Sequence, residues 1–176
     1  MSPLRLITYP GPVLRKQAKP VKNVDGKLIE TAGEMFEVMY ENCGIGLAAP
    51  QVGISQRMLV LDIRQDGFPD YIMINPRIIR SEGAVDAEEG CLSVPELFGE
   101  INRAELVEVA YIDRDGEEQI LQAEGLLARA IQHEIDHLNG VLFIDRLEKA
   151  QRKAIEQQLR ELAEATKERN AGNNAG

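Results

Sequence analysis

The stretch Gln132-His133-Glu134-Ile135-Asp136-His137-Leu138 contains the pattern His-Glu-x-x-His. It lies in a segment, Gly125 to Leu138, whose pattern predicts a helix that Asn139-Gly140 terminates. Residues four apart lie one turn apart on a helix, so His133 and His137 can bind one cation. Glu134 cannot share their face, but it can reach a water molecule bound to that cation, as a general base does. The stretch therefore predicts a metal-binding helix.

A simpler alternative is that the two histidines are packed and hydrogen-bonded on a partly apolar face, alongside Leu126 and Ala130. The chain has two histidines in all, and both fall inside the motif. Two randomly placed histidines would lie four residues apart in roughly one in a hundred chains of this length. The sequence therefore favours a metal site over packing.

A third ligand has to come from another part of the chain. Glu89-Gly-Cys91-Leu-Ser-Val-Pro95 offers Cys91, and thiolate is a good ligand for zinc or iron. Three protein ligands would leave a fourth position open for water. The alternative for Cys91 is a small buried apolar side chain, and we expect that role for Cys43.

Patterns outside the motif predict a mixed fold. The predicted elements are a helix at Lys27–Glu41, strands at Arg57–Ile63 and Tyr71–Arg80, a hairpin of Leu106–Ile112 with Gln119–Ala123, and a helix at about Leu147–Glu168. One helix, several strands and then two helices is an α+β order rather than a regular alternation. We expect one domain over residues 1–169 and a disordered polar tail at 170–176.

Composition excludes several classes of protein. The chain has 176 residues, of which 44% are hydrophobic and 28% charged, and this is typical of a globular domain. A net charge of -9 argues against general binding to DNA or RNA and against adhesion to anionic membranes. We find no apolar run that predicts a membrane span or a signal peptide. We therefore expect a cytoplasmic protein with free thiols rather than a Cys43–Cys91 disulfide.

A glycine-rich segment, Gly44-Ile-Gly-Leu-Ala-Ala-Pro-Gln51-Val-Gly53, precedes the strands. It lacks the Gly-Lys-Ser/Thr ending of a phosphate-binding loop. It could instead expose backbone groups to a peptide-like ligand, with Gln51 supplying a side-chain amide. A purely structural turn is the alternative.

Three motifs in order resemble those of the peptide deformylases. They are Gly44-Ile-Gly-Leu-Ala-Ala-Pro-Gln51, Glu89-Gly-Cys-Leu-Ser93 and Gln132-His-Glu-Ile-Asp-His137. The resemblance spans nearly the whole chain. It implies a metallohydrolase that removes the formyl group from the N-terminal formyl-methionine of newly synthesised polypeptides. It also implies mixed or antiparallel β-sheets packed around the motif helix, a further C-terminal helix, and a monomeric protein.

The same resemblance assigns roles at the catalytic centre. Cys91, His133 and His137 would bind one divalent metal ion, natively Fe2+, with Zn2+, Ni2+ or Co2+ able to occupy the same site. Glu134 would take a proton from the attacking water and deliver it to the leaving amine. Gln51, through its side-chain amide, and Leu92, through its backbone N–H, would stabilise the oxyanion.

The resemblance also places the substrate. An extended peptide would lie along Ile45-Gly46 and Glu89-Gly90, and Ile45, Leu126 and the His133 ring would form walls of the methionine pocket. The residues that depart from the family's usual pattern around this pocket are Ala87, Phe98, Arg129 and Ala130. They leave the side-chain preference open. Asp136 either orients a histidine or lies on a solvated helix face.

The C-terminal helix differs in charge from the rest of the chain. Residues 148–169 contain six Lys or Arg and five Glu, a net charge of +1, which leaves -10 for residues 1–147. A solvated amphipathic helix is the simple interpretation. The family suggests a second one, contact with the ribosome near its exit tunnel.

Two other functions use the same motifs. An endopeptidase could use the His-Glu-x-x-His helix, although such enzymes usually take Glu, Asp or His as the third ligand. A metal-stabilised peptide-binding module without catalysis would need neither Glu134 nor Gln51.

Overall fold

The computed structural model describes residues 4–173. Its helices and strands are α1 (Gly26–Glu41), β1 (Gly46–Ala48), β2 (Met58–Leu61), β3 (Tyr71–Glu82), β4 (Val85–Cys91), β5 (Val94–Arg103), β6 (Leu106–Ile112), β7 (Glu118–Glu124), α2 (Gly125–Leu138), α3 (Lys149–Ala154) and α4 (Glu156–Asn173). Among these described helices, none is long and apolar enough to cross a membrane.

Two antiparallel sheets carry the fold. The first has five strands in the order β1-β2-β3-β6-β7, and the second is the β4-β5 pair. The predicted hairpin joins β6 to β7, where Asp113 Oδ1 accepts hydrogen bonds from the N–H groups of Asp115 and Glu117 and Gly116 adopts a φ of 83°. The structure confirms the predicted α+β class with antiparallel sheets and a C-terminal helix.

The five-stranded sheet lies between α1 and α2. Side chains alternate across β2: Leu59 and Leu61 join the α2 side of the core, whereas Met58 and Val60 join the α1 side. Both faces of this strand are buried, which explains its continuous apolar sequence.

Packing against the sheet fixes the rotation of α2 about its axis. Its buried apolar face is formed by Leu127, Ala128, Ile131, Ile135 and Leu138. A helix with one apolar face presents its remaining residues at fixed angles to that face. His133 and His137 therefore project from one flank of α2, where the end of β4 meets them.

The C-terminal region differs from the prediction in two ways. The single helix predicted over Leu147–Glu168 is two helices, which meet at Ile155 with φ -97° and ψ 1°. Ile155 is partly buried against an apolar cluster that includes Phe143 and Leu159, so tertiary packing breaks the helix where the sequence has no glycine or proline. The helix then continues through Asn173. Residues 170–173, which we predicted to be disordered, continue the backbone hydrogen bonding of α4 and are helical. Residues 174–176 lie outside the described part.

Candidate active site

Three predicted ligands converge on one point. Cys91 is the last residue of β4, and the two histidines lie one turn apart on α2. Cys91 Sγ and His137 Nε2 are 3.2 Å apart, as are the two histidine Nε2 atoms. The three donor atoms lie within 4.8 Å of one another. Ligands at ordinary Zn–N and Zn–S bond lengths, about 2.0 and 2.3 Å, would be separated by similar distances. The donor set therefore fits one transition-metal ion.

Glu89 orients the first histidine. Its Oε2 atom is 3.0 Å from His133 Nδ1, so the ring presents Nε2 to the other two donors. Arg103 holds the same carboxylate in two hydrogen bonds, of 2.8 and 2.9 Å. Burial alone would raise the pKa of Glu89, but the bonds with Arg103 and His133 outweigh it and lower that pKa to about 2. Glu89 therefore holds the candidate ligand His133 as an anion, a role that sequence reasoning missed.

Asp136 does neither of the two things we expected. It is buried, with 7% of its surface exposed, and within residues 4–173 its carboxylate pairs with two arginines rather than with an imidazole. Its Oδ2 atom accepts hydrogen bonds from Arg103 at 2.6 Å and from Arg146 at 2.5 Å. Arg103 thus links Asp136 to Glu89, and Glu89 in turn contacts His133. Each buried carboxylate therefore lies next to a positive charge that offsets the cost of burying it.

The two imidazoles respond differently to these surroundings. Burial lowers the pKa of both rings. For His133 the Cys91 thiol and the Glu89 carboxylate outweigh burial, and its pKa rises well above the ordinary value. For His137 the positive charges of His133 and Arg103 add to burial, so its pKa falls well below that value.

Glu134 places a carboxyl group inside the protein. It is 4% exposed, and its Oε2 atom has no hydrogen-bond partner within residues 4–173. Burial raises its pKa to about 7, so it can gain and lose a proton near neutral pH. Gly46 makes room for it, since a Cβ atom added there would lie 2.5 Å from Glu134 Oε1. The Oε2 atom of Glu134 therefore has no structural hydrogen bond within the described residues.

Gln51 is fixed with its amide N–H groups towards the site. It is 1% exposed, and its Oε1 atom accepts a 2.8 Å hydrogen bond from Ala48 N–H. Its Nε2 atom therefore points the other way, 3.2 Å from Ser93 Oγ and 3.7 Å from Cys91 Sγ. This arrangement brings the end of the glycine-rich segment next to the Cys91 thiol.

A cavity of about 750 Å³ opens in front of these groups. Its walls include every predicted substrate-binding residue: Ile45, Gly46, Glu89, Gly90 and Leu126. Gln51, Cys91, Leu92, His133 and Glu134 line it as well. Of the four departures from the family pattern, Phe98, Arg129 and Ala130 are wall residues and Ala87 is not. Phe98 is 60% exposed, so its ring is available to a ligand in the cavity.

Other wall residues were not predicted. Cys43, expected to be buried, is exposed at the cavity, because it follows the end of α1 in a turn with φ 58°. Thr8 and Arg169 line the cavity from the two ends of the described chain. No local pattern could have identified them, because their position depends on how the termini pack.

The comparisons with known proteins agree with this site. The model of the polypeptide deformylase family matches residues 3–153. The chain belongs to this family. It is 46% identical over 169 residues to the peptide deformylase of Rhizobium meliloti, covering 94% of this chain and 95% of the relative.

Solved peptide deformylases share the fold. The Legionella pneumophila enzyme is 42% identical with a TM-score of 0.84, covering 96% of this chain and 97% of the other. The enzyme of Synechococcus elongatus, solved in complex with actinonin, is 45% identical with a TM-score of 0.84, covering 90% and 89%. Membership of a family of deformylating enzymes agrees with the Cys-His-His cluster and the adjacent carboxyl group.

Proposed function

We propose that this chain is a metal-dependent hydrolase that removes the formyl group from the N-terminal formyl-methionine of newly synthesised polypeptides and releases formate. The observation that carries this proposal is the buried Glu134 carboxyl group beside the Cys91, His133 and His137 donors, with an Oε2 atom that has no hydrogen-bond partner in residues 4–173. Family membership supplies the reaction class.

The cofactor is one divalent ion held by Cys91, His133 and His137. It would lower the pKa of a water molecule and polarise the formyl carbonyl. We propose Fe2+ as the native ion, and Zn2+, Ni2+ and Co2+ also suit two imidazoles and a thiolate.

The protein's own groups would move the proton and stabilise the developing charge. Glu134 accepts a proton from the attacking water and donates it to the amine that leaves. A pKa of about 7 suits both steps, because the group is neither too strong nor too weak an acid near neutral pH. The Gln51 amide and the Leu92 N–H donate hydrogen bonds to the oxyanion. Each such donor is typically worth about 3 kcal/mol.

The two sheets leave suitable edges for a peptide. β1 is an edge strand of the five-stranded sheet, and β4 pairs with β5 alone. Ile45-Gly46 and Glu89-Gly90 face the same cavity from these edges. An extended peptide could pair with both through main-chain hydrogen bonds, which tolerate many side chains. Such tolerance suits an enzyme that acts on many nascent chains.

One experiment tests metal, reaction and substrate together. The protein would be purified without oxygen, analysed for metal, and assayed with formyl-Met-Ala-Ser after loading with Fe2+, Zn2+ or Ni2+. We expect about one ion per chain and release of formate, because three protein ligands leave a position open for water. Chelation of the ion should abolish the activity.

Other results of that experiment identify the competing functions. Internal cleavage of blocked peptides without formate would favour an endopeptidase. Metal binding and peptide binding without any turnover would favour a binding module.

We also propose that the chain is a monomer that works in the cytoplasm and contacts the ribosome through α3 and α4. The +1 charge of residues 148–169, in a chain of net charge -9, supports contact with RNA phosphates. Exposed cations on these helices, including Lys149, Lys153 and Lys167, are free to make it.

Co-sedimentation with ribosomes tests this contact. Truncation at Leu147 should abolish it, but that change also removes Leu159, which is buried in the core. Changing Lys149, Lys153 and Lys167 together to Glu is sharper and should release the protein into the supernatant. Unchanged co-sedimentation of the triple variant would remove the proposed contact.

A further inference from the structure

The C-terminal helix reaches the catalytic cavity. Leu159, Leu162, Thr166 and Arg169 follow one another at intervals of three or four residues and so share one face of α4. Leu159 and Thr166 are 4% and 6% exposed, which shows that this face packs on the body of the protein. Arg169 continues the face beyond Thr166, and it lines the cavity that contains Glu134.

A second contact holds this part of α4 in place. Thr166 Oγ1 lies 3.2 Å from Thr8 Oγ1. Thr8 is itself a wall residue of the cavity. The N-terminal segment and α4 thus form one wall together. Arg169 lies one helical turn after Thr166, so the packing and hydrogen bond of Thr166 fix where Arg169 lies.

The charge of Arg169 is uncompensated within the described residues. Its one hydrogen bond there is a long one, 3.4 Å, from Nε to the backbone oxygen of Ala165. No carboxylate of residues 4–173 forms an ion pair with it. Arg160 on the same helix, in contrast, pairs with Glu156 at 2.7 Å. An exposed guanidinium at the rim of a peptide-binding cavity can bind a carboxylate through two parallel hydrogen bonds.

We propose that Arg169 is a specificity residue that binds an acidic side chain of the formyl peptide, at one of the residues after the formyl-methionine. The inference rests on the proposed function. On the proposed function, the formyl-methionine lies beside Glu134 and Leu126. Arg169 is an exposed residue of the same cavity, so the peptide residue that contacts Arg169 comes after the formyl-methionine. Arg129 also lines the cavity, but it lies on α2 in the predicted wall of the methionine pocket.

The test compares matched peptides on the metal-loaded full chain. The substrates are formyl-Met-Ala-X-Ser and formyl-Met-X-Ala-Ser, with X as Glu, Gln or Lys and with amidated C-termini so that X carries the varied charge. We expect kcat/KM for Glu to exceed that for Gln by about three- to fivefold at one of the two positions, as exposed ion pairs allow. The preference should shrink as salt is raised, because salt screens exposed charges.

Two substitutions and one control assign the effect to this residue. Arg169→Gln should make the Glu and Gln peptides equal, and Arg169→Glu should favour the Lys peptide. Lys167→Gln removes an equal charge from an exposed position two residues away, on a different face of α4, and should keep the wild-type preference.

The outcomes separate this inference from the proposed function. Formate release without a charge preference, a preference that survives Arg169→Gln, or an equal loss in Lys167→Gln would each overturn the role of Arg169 alone. Absence of formate from every peptide would overturn the proposed function and this inference with it.

Discussion

Replacing Glu134 by glutamine should lower kcat for formate release by about 10²- to 10⁴-fold and leave the metal content at one ion per chain. Glutamine has nearly the same shape and fits beside Gly46, but its amide cannot accept the proton of the attacking water. Glu134 is 4% exposed, and its Oε2 atom has no hydrogen-bond partner in residues 4–173. Bulk water therefore has little access to this position and cannot easily act as the base in place of the carboxylate. The measurement is single-turnover and steady-state formate release, with metal analysis on the same sample.

A matched change controls for charge. Glu96→Gln removes a carboxylate from an exposed position in the wall of the same cavity and should leave kcat close to that of the wild type. Nearly full activity in Glu134→Gln would contradict the assigned base. Loss of the metal in that variant would instead mean that Glu134 contributes to holding the ion.

Sequence patterns within a few residues of one another were enough to predict some helices and strands. The predicted bounds of α2 and β6 coincide with those in the structure, since helical periodicity with an Asn-Gly stop and a turn at Asp115-Gly116 specify them. β4 contains an aspartate and two glutamates, of which Asp86 and Glu88 are exposed whereas the Glu89 side chain is 9% exposed. Such a strand lacks the apolar alternation on which prediction depends, and its bounds were not predicted.

The resemblance named residues from distant motifs as one site, and the structure brings those residues together around one cavity. Its supports were not predicted, because they depend on pairs far apart in the chain. Arg103 contacts Glu89, 14 residues away, and Asp136, 33 residues away. Neither helical nor strand periodicity relates such positions, so the roles of Glu89 and Asp136 required the fold.

Those supports should dominate the stability of the site. Arg103 is 4% exposed and pairs with two buried carboxylates, Glu89 and Asp136. Asp136 would retain Arg146 if Arg103 were removed, but among the described side chains Glu89 would keep only its ion pair with His133.

Arg103→Met should therefore lower the free energy of unfolding by about 3–5 kcal/mol, the usual cost of leaving a buried charge without its partner. Methionine fills much of the space of the arginine stem, so lost packing contributes little to the change. Urea denaturation of the metal-loaded protein measures this change in the free energy of unfolding.

Arg114→Met is the control, since Arg114 pairs with Asp70 at 2.9 Å with both side chains 47% exposed. Loss of this surface pair should cost at most about 1 kcal/mol. Equal destabilisation of the two variants would show that the buried ion pairs around Glu89 contribute no more than a surface pair. A selective loss in Arg103→Met would instead tie the stability of the fold to the group that orients His133.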